Sequence, residues 1–270
     1  MRPEFHISAT VPAPSRALAR GLRGGWIRLP VRWGLLRHPE HGPVLIDTGY
    51  TSAVTADPGR SLGLRAYQAA LRARLTGTGT MTAVLARAGI AADDVRHVIV
   101  THLHANHVAG LKALPRARFH VAIAAIAQLD RPRRTLLRHG IFPELLPEDF
   151  VARADPLESR RMVAAHEALG DGHDVFGDGA IVAVPLPGHA DGHVGLLFRG
   201  ATPLLYACDA QWVRDALQDG RHPGPPLSLI CADRTAWRET TARLRAFAGA
   251  GGEIVLCHDP APTRQDAGQP

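Results

Sequence analysis

Short apolar runs that each close on a histidine or an aspartate constrain this chain more than any other feature of its sequence. Val95 to Val100 leads through Thr101 into His102-Leu103-His104-Ala105-Asn106-His107. The run ending at Leu186 is followed by Pro187-Gly188-His189, Leu204 to Cys208 by Asp209, and Ile254 to Cys257 by His258. Pro43 to Ile46 ends in the same way at Asp47. Apolar runs this short, without strict alternation, read as strands buried on both faces. Such strands expose their working residues where they leave the sheet. The pattern predicts an α/β protein whose strand ends gather these polar groups at one edge.

The residue types gathered there point to metal chemistry. His102 and His104 are two apart and share a side in extended backbone, and His107 follows at the mouth of an expected helix. Neutral imidazole is the commonest protein ligand for zinc and related divalent ions. With His189, His258 and Asp209 added, five histidines and one aspartate make a complete ligand set for two metals. Cys208 and Cys257 adjoin ligands, but strand alternation turns such neighbours toward the core.

Composition narrows the classes. The 270 residues can bury a full core and show no linker or charge block, so one domain over residues 1–259 is expected. The formal charge of +6 rests almost wholly on arginine, Lys112 being the single lysine. Those arginines are spread out with few aromatics among them, which argues against a nucleic-acid partner. Cys208, Cys231 and Cys257 are far apart and lack CxxC spacing, which fits a reducing compartment. The first 29 residues contain no continuous apolar run and nothing reaches the length of a membrane span, so a cytoplasmic protein without a membrane partner is expected. The sequence leaves the oligomeric state open.

Along the chain, Trp26–Leu36, Pro43–Ile46, Val95–Thr101, Phe119–Ile123, Ala180–Leu186, Val194–Phe198, Leu204–Ala207 and Glu253–Cys257 read as strands. Arg65–Leu75, Met81–Ala88, His107–Leu114 and Thr235–Phe247 read as helices, the second stopped by Gly89. Residues 124–170 read as a helical, lid-like insertion broken by prolines. Its Leu136, Leu137, Ile141, Phe142, Leu145 and Leu146 suit either helix packing or an acyl chain. The segment 260–270 reads as a disordered tail.

The ordered motifs Leu45-Ile46-Asp47-Thr48-Gly49, Thr101 to His107, Pro187-Gly188-His189, Cys208-Asp209-Ala210 and Cys257-His258-Asp259 resemble those of the metallo-β-lactamase-fold hydrolases. Within them, the match resembles the branch of glyoxalase II and the acyl-homoserine lactonases. The resemblance implies a four-layer αββα sandwich with a binuclear metal site at one edge. It implies His102, His104 and His189 as ligands of one metal, His107 and His258 of the second, and Asp209 as the bridge. Asp47 corresponds to a carboxylate that orients a ligand histidine, and His193 to a supporting histidine.

Two departures stand out. Asn106 occupies the position of a metal-binding aspartate. It can offer a carbonyl oxygen as a weak metal ligand, but it carries no charge and is not a useful base, so the second metal should be held less firmly. Asparagine is also a strong N-cap, and it precedes the helix expected from His107. Trp212 stands where lactonases of this fold often carry a tyrosine, with Tyr50, Tyr67 and Tyr206 as candidate substitutes. The expected function is hydrolysis of an ester, thioester or lactone by metal-activated water, with Asp209 and Asn106 at the reacting centre. Zinc is the expected ion, with iron or manganese as alternatives. A diiron redox protein and a phosphodiesterase or nuclease are the competing readings.

Overall fold

A computed structural model describes residues 1–268 other than 20, 23, 225, 226, 228 and 229. Seven strands form the first sheet: β1 (Glu4–Pro14), β2 (Trp26–His38), β3 (Gly42–Ile46), β4 (Arg74–Leu75), β5 (His97–Ile99), β6 (Arg118–Val121) and β7 (Ala154–Pro156). Their order is β4-β1-β2-β3-β5-β6-β7. The second sheet contains β8 (Met162–His166), β9 (Gly170–Asp174), β10 (Ile181–Pro185), β11 (Val194–Phe198), β12 (Leu204–Cys208) and β13 (Glu253–Leu256), in the order β13-β12-β11-β10-β9-β8. Both sheets are mixed: β3, β5, β6 and β7 pair in parallel, as do β12 and β13, and the other pairs are antiparallel.

The apolar runs follow from burial on both faces. Leu204 and Tyr206 of β12 join the core between the sheets, whereas Leu205 and Ala207 join a second core on the outer side. Residues of β10 divide alike, Ile181 and Ala183 facing inward and Val182 and Val184 outward. The outer core is closed by the helix Arg234–Gly249, which buries Trp237, Thr241, Leu244 and Phe247 at helical spacing. Asp233 caps that helix by accepting the N–H groups of Thr235 and Ala236. On the other flank the helix Met81–Arg87 buries Met81, Val84 and Leu85 against the first sheet. Helix, sheet, sheet and helix thus stack as an αββα sandwich.

Several expectations need correction. The 124–170 stretch is helical only in its first part, with short helices between Ile123 and Arg153. Beyond them β7 extends the first sheet, and β8 pairs with β9 as a hairpin at the edge of the second. Of the six apolar residues noted there, all but Leu137 are buried in the main core, so they pack the scaffold.

The tail is not disordered over its described length. Asp266 forms a buried pair with Arg32, and the Phe5 backbone bonds to Gln265 and Ala267. Residues 269 and 270 lie outside the described residues. β1, unrecognised in the sequence, pairs with most of β2. No helix of the described residues is long and apolar enough to cross a membrane.

Candidate metal centre

The site is assembled where β3, β5, β12 and β13 end. Asp47 follows β3 with φ 56°, a left-handed conformation that aspartate tolerates better than most residues. This turn aims its carboxylate across to Thr101, just beyond β5. Asp47 Oδ1 accepts the Thr101 N–H at 2.8 Å and Oδ2 accepts the Thr101 hydroxyl at 2.9 Å. His107 Nδ1 donates to Asp47 Oδ2 at 2.8 Å. The Thr101 hydroxyl, its proton directed at Asp47, is left to accept from His102 Nδ1 at 3.1 Å. Both rings therefore turn Nε2 inward, the nitrogen left free to ligate once deprotonated, as metal-binding histidines require.

His258 repeats this device. His258 Nδ1 donates to the Pro30 carbonyl at 2.7 Å, which leaves its Nε2 facing the centre. His189 sits in a loop pressed against the start of helix Arg234–Gly249. At Gly188 (φ +125°) a Cβ would lie 2.4 Å from Trp237 backbone atoms, so only glycine permits this approach. His104 precedes the helix Ala105–Val108, and its Nδ1 lies 3.0 Å from His189 Nε2.

Asp209 lies at the convergence. Its Oδ2 is 3.2 Å from His258 Nε2, 3.3 Å from His189 Nε2, 3.5 Å from His107 Nε2 and 3.9 Å from His102 Nε2. Donor atoms of His102, His104, His189 and Asp209 fall within 4.8 Å of one another, as do those of His107, Asp209, Cys257 and His258. A further group joins His102, His107 and Cys208.

The charge states suit a cation. Burial, reinforced by neighbouring imidazoles, pushes the His102 and His189 pKa values well below 6.5, and burial outweighs Asp209 to bring His104 to about 3. These rings are neutral and present lone pairs. Burial opposes ionisation of Asp209, but His258 and His107 overcome it and hold the carboxylate well below its ordinary range. Burial likewise opposes charge on His107, yet Asp47 and Asp209 push it up to about 10. Protons on His107 and His258 thus supply positive charge where a divalent ion would supply it. His102 Nε2, buried and without a hydrogen-bond partner, is the orphaned group that a cation satisfies. The donor set fits a divalent metal.

All nine sequence-predicted residues come together, with one change of detail. Asn106 is not the N-cap: the helix begins at Ala105, so Asn106 is its second residue and His104 precedes it. Its Nδ2 lies 2.6 Å from His107 Nε2 and 3.4 Å from His258 Nε2. His193 cannot offer a lone pair to a metal in this arrangement. Its Nδ1 donates to the Leu186 carbonyl at 3.1 Å and its Nε2 accepts the Asp209 N–H at 3.3 Å, so it positions the Asp209 backbone.

Cys208 and Cys257 both join the main core, as expected, yet their sulfurs also fall among the ligand groups. Cys208 ends β12 at φ 51°, next to a register shift, and its sulfur turns to Thr101 Oγ1 at 3.2 Å. Trp212 and Trp237 stand 5.9 and 5.8 Å from the His189 ring as a wall. Tyr206 is spent on the Arg32 carbonyl, but Tyr50 and Tyr67 join hydroxyls at 3.0 Å. A Cβ added at Gly140 would lie 3.9 Å from both Tyr67 Oη and His104 Cδ2, which puts that tyrosine beside the site. Sequence reasoning missed Thr101 as an organiser. Its hydroxyl type, directly before the histidines, was the available signal.

The sequence pattern of the metallo-beta-lactamase superfamily matches residues 26–258. The chain belongs to the metallo-beta-lactamase superfamily. It is 30% identical over 251 residues to a probable metallo-hydrolase of Mycobacterium tuberculosis, covering 84% of this chain and 74% of that protein. An N-acyl homoserine lactonase of Azorhizobium caulinodans is 28% identical over 242 residues, covering 88% and 84%. A solved quorum-quenching N-acyl homoserine lactone lactonase superposes with a TM-score of 0.69 at 19% identity, covering 98% of this chain and 96% of the other. The αββα sandwich is therefore the metallo-beta-lactamase fold, and the chain is a metal-dependent hydrolase.

Proposed function

We propose that this hydrolase opens a lactone ring, with N-acyl homoserine lactones as the leading substrate class. Two divalent cations, zinc by preference, are assigned to His102, His104 and His189 on one side and His107 and His258 on the other. Asp209 lies between them. The reading is carried by Asp209 Oδ2, which lies within 3.5 Å of Nε2 atoms from both groups, His189 on one side and His107 and His258 on the other. Imidazole with carboxylate suits zinc, and after it iron or manganese, better than magnesium or calcium. The names of the similar lactonases support the substrate class.

When bound, the cations would acidify a water and polarise the lactone carbonyl. Asp209 holds the nucleophile's position and is the carboxylate placed to take its proton. Asp47 cannot share that task, since its oxygens already accept from Thr101 and His107. Trp212 and Trp237 exclude water beside His189, and Tyr67 offers a hydroxyl from the His104 side. Asn106 brings no charge, so the His107–His258 position binds its ion more weakly.

Zinc-loaded protein should open N-acyl homoserine lactones to the acyl homoserine, read by mass spectrometry and proton release. Chelation should abolish turnover and added zinc restore it. Asp209→Ala should lower kcat/KM by about a thousandfold, the several kcal/mol such a group supplies. Turnover indifferent to chelation and to Asp209→Ala would overturn the reading. A marked preference for a thioester over every lactone would overturn the substrate class alone.

A further inference from the structure

The weaker of the two proposed cation positions contains a donor whose role the preceding reading leaves unassigned. Cys257 is fully buried, and its sulfur falls with donor atoms of His107, Asp209 and His258 in a set spanning no more than 4.8 Å. That group is also where charge is missing, because Asn106 reaches the same two imidazoles with a neutral amide. Among the described residues, Cys257 is the one further ionisable donor in this set.

Cys208 is less well placed. Its sulfur approaches His107 at Nδ1 (3.7 Å) and Asp47 Oδ2 (3.8 Å), on the face of the ring already committed to Asp47. It meets Asp209 through Oδ1, whereas Oδ2 faces the imidazoles. Cys257, by contrast, lies just past the end of β13, where strand alternation no longer forces it away from His258.

We infer that Cys257 ligates the cation at the His107–His258 position as a thiolate, supplying from another point of the fold the negative charge that Asn106 lacks. The inference rests on the two-cation reading above. Zinc-like ions bind sulfur at about 2.3 Å and imidazole at about 2.0–2.1 Å, so ligand atoms around one tetrahedral ion lie roughly 3.5 Å apart. The set must contract by about 1 Å, the direction in which a cation draws its ligands. On binding, the S–H bond breaks, its proton leaves to solvent, and a metal–sulfur bond forms without change of oxidation state. Among the thiol's present contacts, the one to the Arg32 carbonyl at 3.4 Å is given up. A sulfur ligand also biases this position toward zinc, cobalt or ferrous iron and away from manganese.

Cobalt(II) titration of the intact, metal-stripped protein tests this without reference to turnover. The second equivalent should bring a near-ultraviolet thiolate-to-cobalt charge-transfer band. Cys257→Ala should lose that band and bind the second ion at least tenfold more weakly, while Cys208→Ala keeps both. Asn106→Asp in the Cys257→Ala background should recover the second ion but not the band. Two bound cobalt ions without the band in unaltered protein would overturn the thiolate and leave the two-cation reading intact. One ion at saturating cobalt would overturn both. Because the unaltered protein alone yields these outcomes, a variant that fails to fold does not shield the inference.

Discussion

Asp47 shows how much a single residue can decide. It holds a left-handed backbone conformation, is fully buried, and fixes Thr101 and His107 with one carboxylate. Asp47→Asn retains the shape but sets an amide N–H against one of three donors. It should weaken the ion at the His107–His258 position by about 10- to 100-fold, while the content of the three-histidine position changes little. Competitive metal titration with elemental analysis would check this; equal losses at both positions would show that Asp47 acts on the whole edge. Asn106→Asp should act oppositely, raising second-ion content at limiting zinc, and an unchanged content would sink the charge-deficit argument. The ligand residues were legible in the sequence because their types are chemically distinctive and each follows an apolar run. The Asp47–Thr101–His102 relay and the turned Cys208 were not, because both depend on left-handed or shifted backbone that residue types do not announce.

At the scale of elements, legibility followed apolar content. β11 was readable to the residue because Val194–Phe198 is buried on both faces, and the helix Arg234–Gly249 because its buried residues keep helical spacing. β8 and β9 escaped notice: Gly170-Asp171-Gly172-His173-Asp174 lacks β-branched residues and owes its extension to pairing with neighbours. β1 was obscured by Pro12 and Pro14. The C-terminal segment misled for a related reason, since Pro260 and Pro262 suggest disorder while one ion pair orders it. Arg32 is 1% exposed and meets both oxygens of Asp266, at 2.7 and 2.9 Å. Asp266→Ala would leave that guanidinium buried and unpaired, a loss of about 3–5 kcal/mol. In a chain of this size the midpoint of thermal unfolding should fall by roughly 10 °C. The pH dependence has a defined sign. Burial opposes charge on Asp266, but Arg32 holds its pKa below 3.8, so the pair stabilises fully above that value. Its contribution is lost as pH falls through the lower, folded value. A variant melting within a degree or two of the parent would refute the anchoring role.

The whole molecule has two chemically different ends. One carries the metal ligands; the other is closed by imidazoles around Phe176, on the loop joining β9 and β10. His38, His41, His97 and His120 have ring centroids 4.5–5.4 Å from the Phe176 ring. His97 Nδ1 lies 3.0 Å from His120 Nε2, and His38 reaches Asp178 at 3.1 Å. Asp155, held by Arg160, is 3.5 Å from His120 Nδ1. The first sheet is thereby tied to the second through groups that pack as apolar rings only while uncharged. Burial outweighs Asp155 and, with His97 and Arg160, lowers the His120 pKa from 6.5 to about 4; burial and His41 lower that of His97. A histidine with a depressed folded pKa protonates more readily in the unfolded chain. Its neutral packing is therefore fully available above pH 6.5 and is progressively opposed as pH falls from 6.5 to about 4. For His120 the loss across that window is of the order of 3 kcal/mol. Metal ligands also gain protons on acidification, so the pH profile of the unaltered protein alone is not diagnostic. The difference between it and His120→Phe is, because the metal end is common to both and phenylalanine keeps the stacking. Chemical unfolding at half-unit steps from pH 7 to pH 4 should show His120→Phe losing less stability on acidification than its parent. Parallel curves for the two proteins would mean that the imidazole end does not govern acid stability.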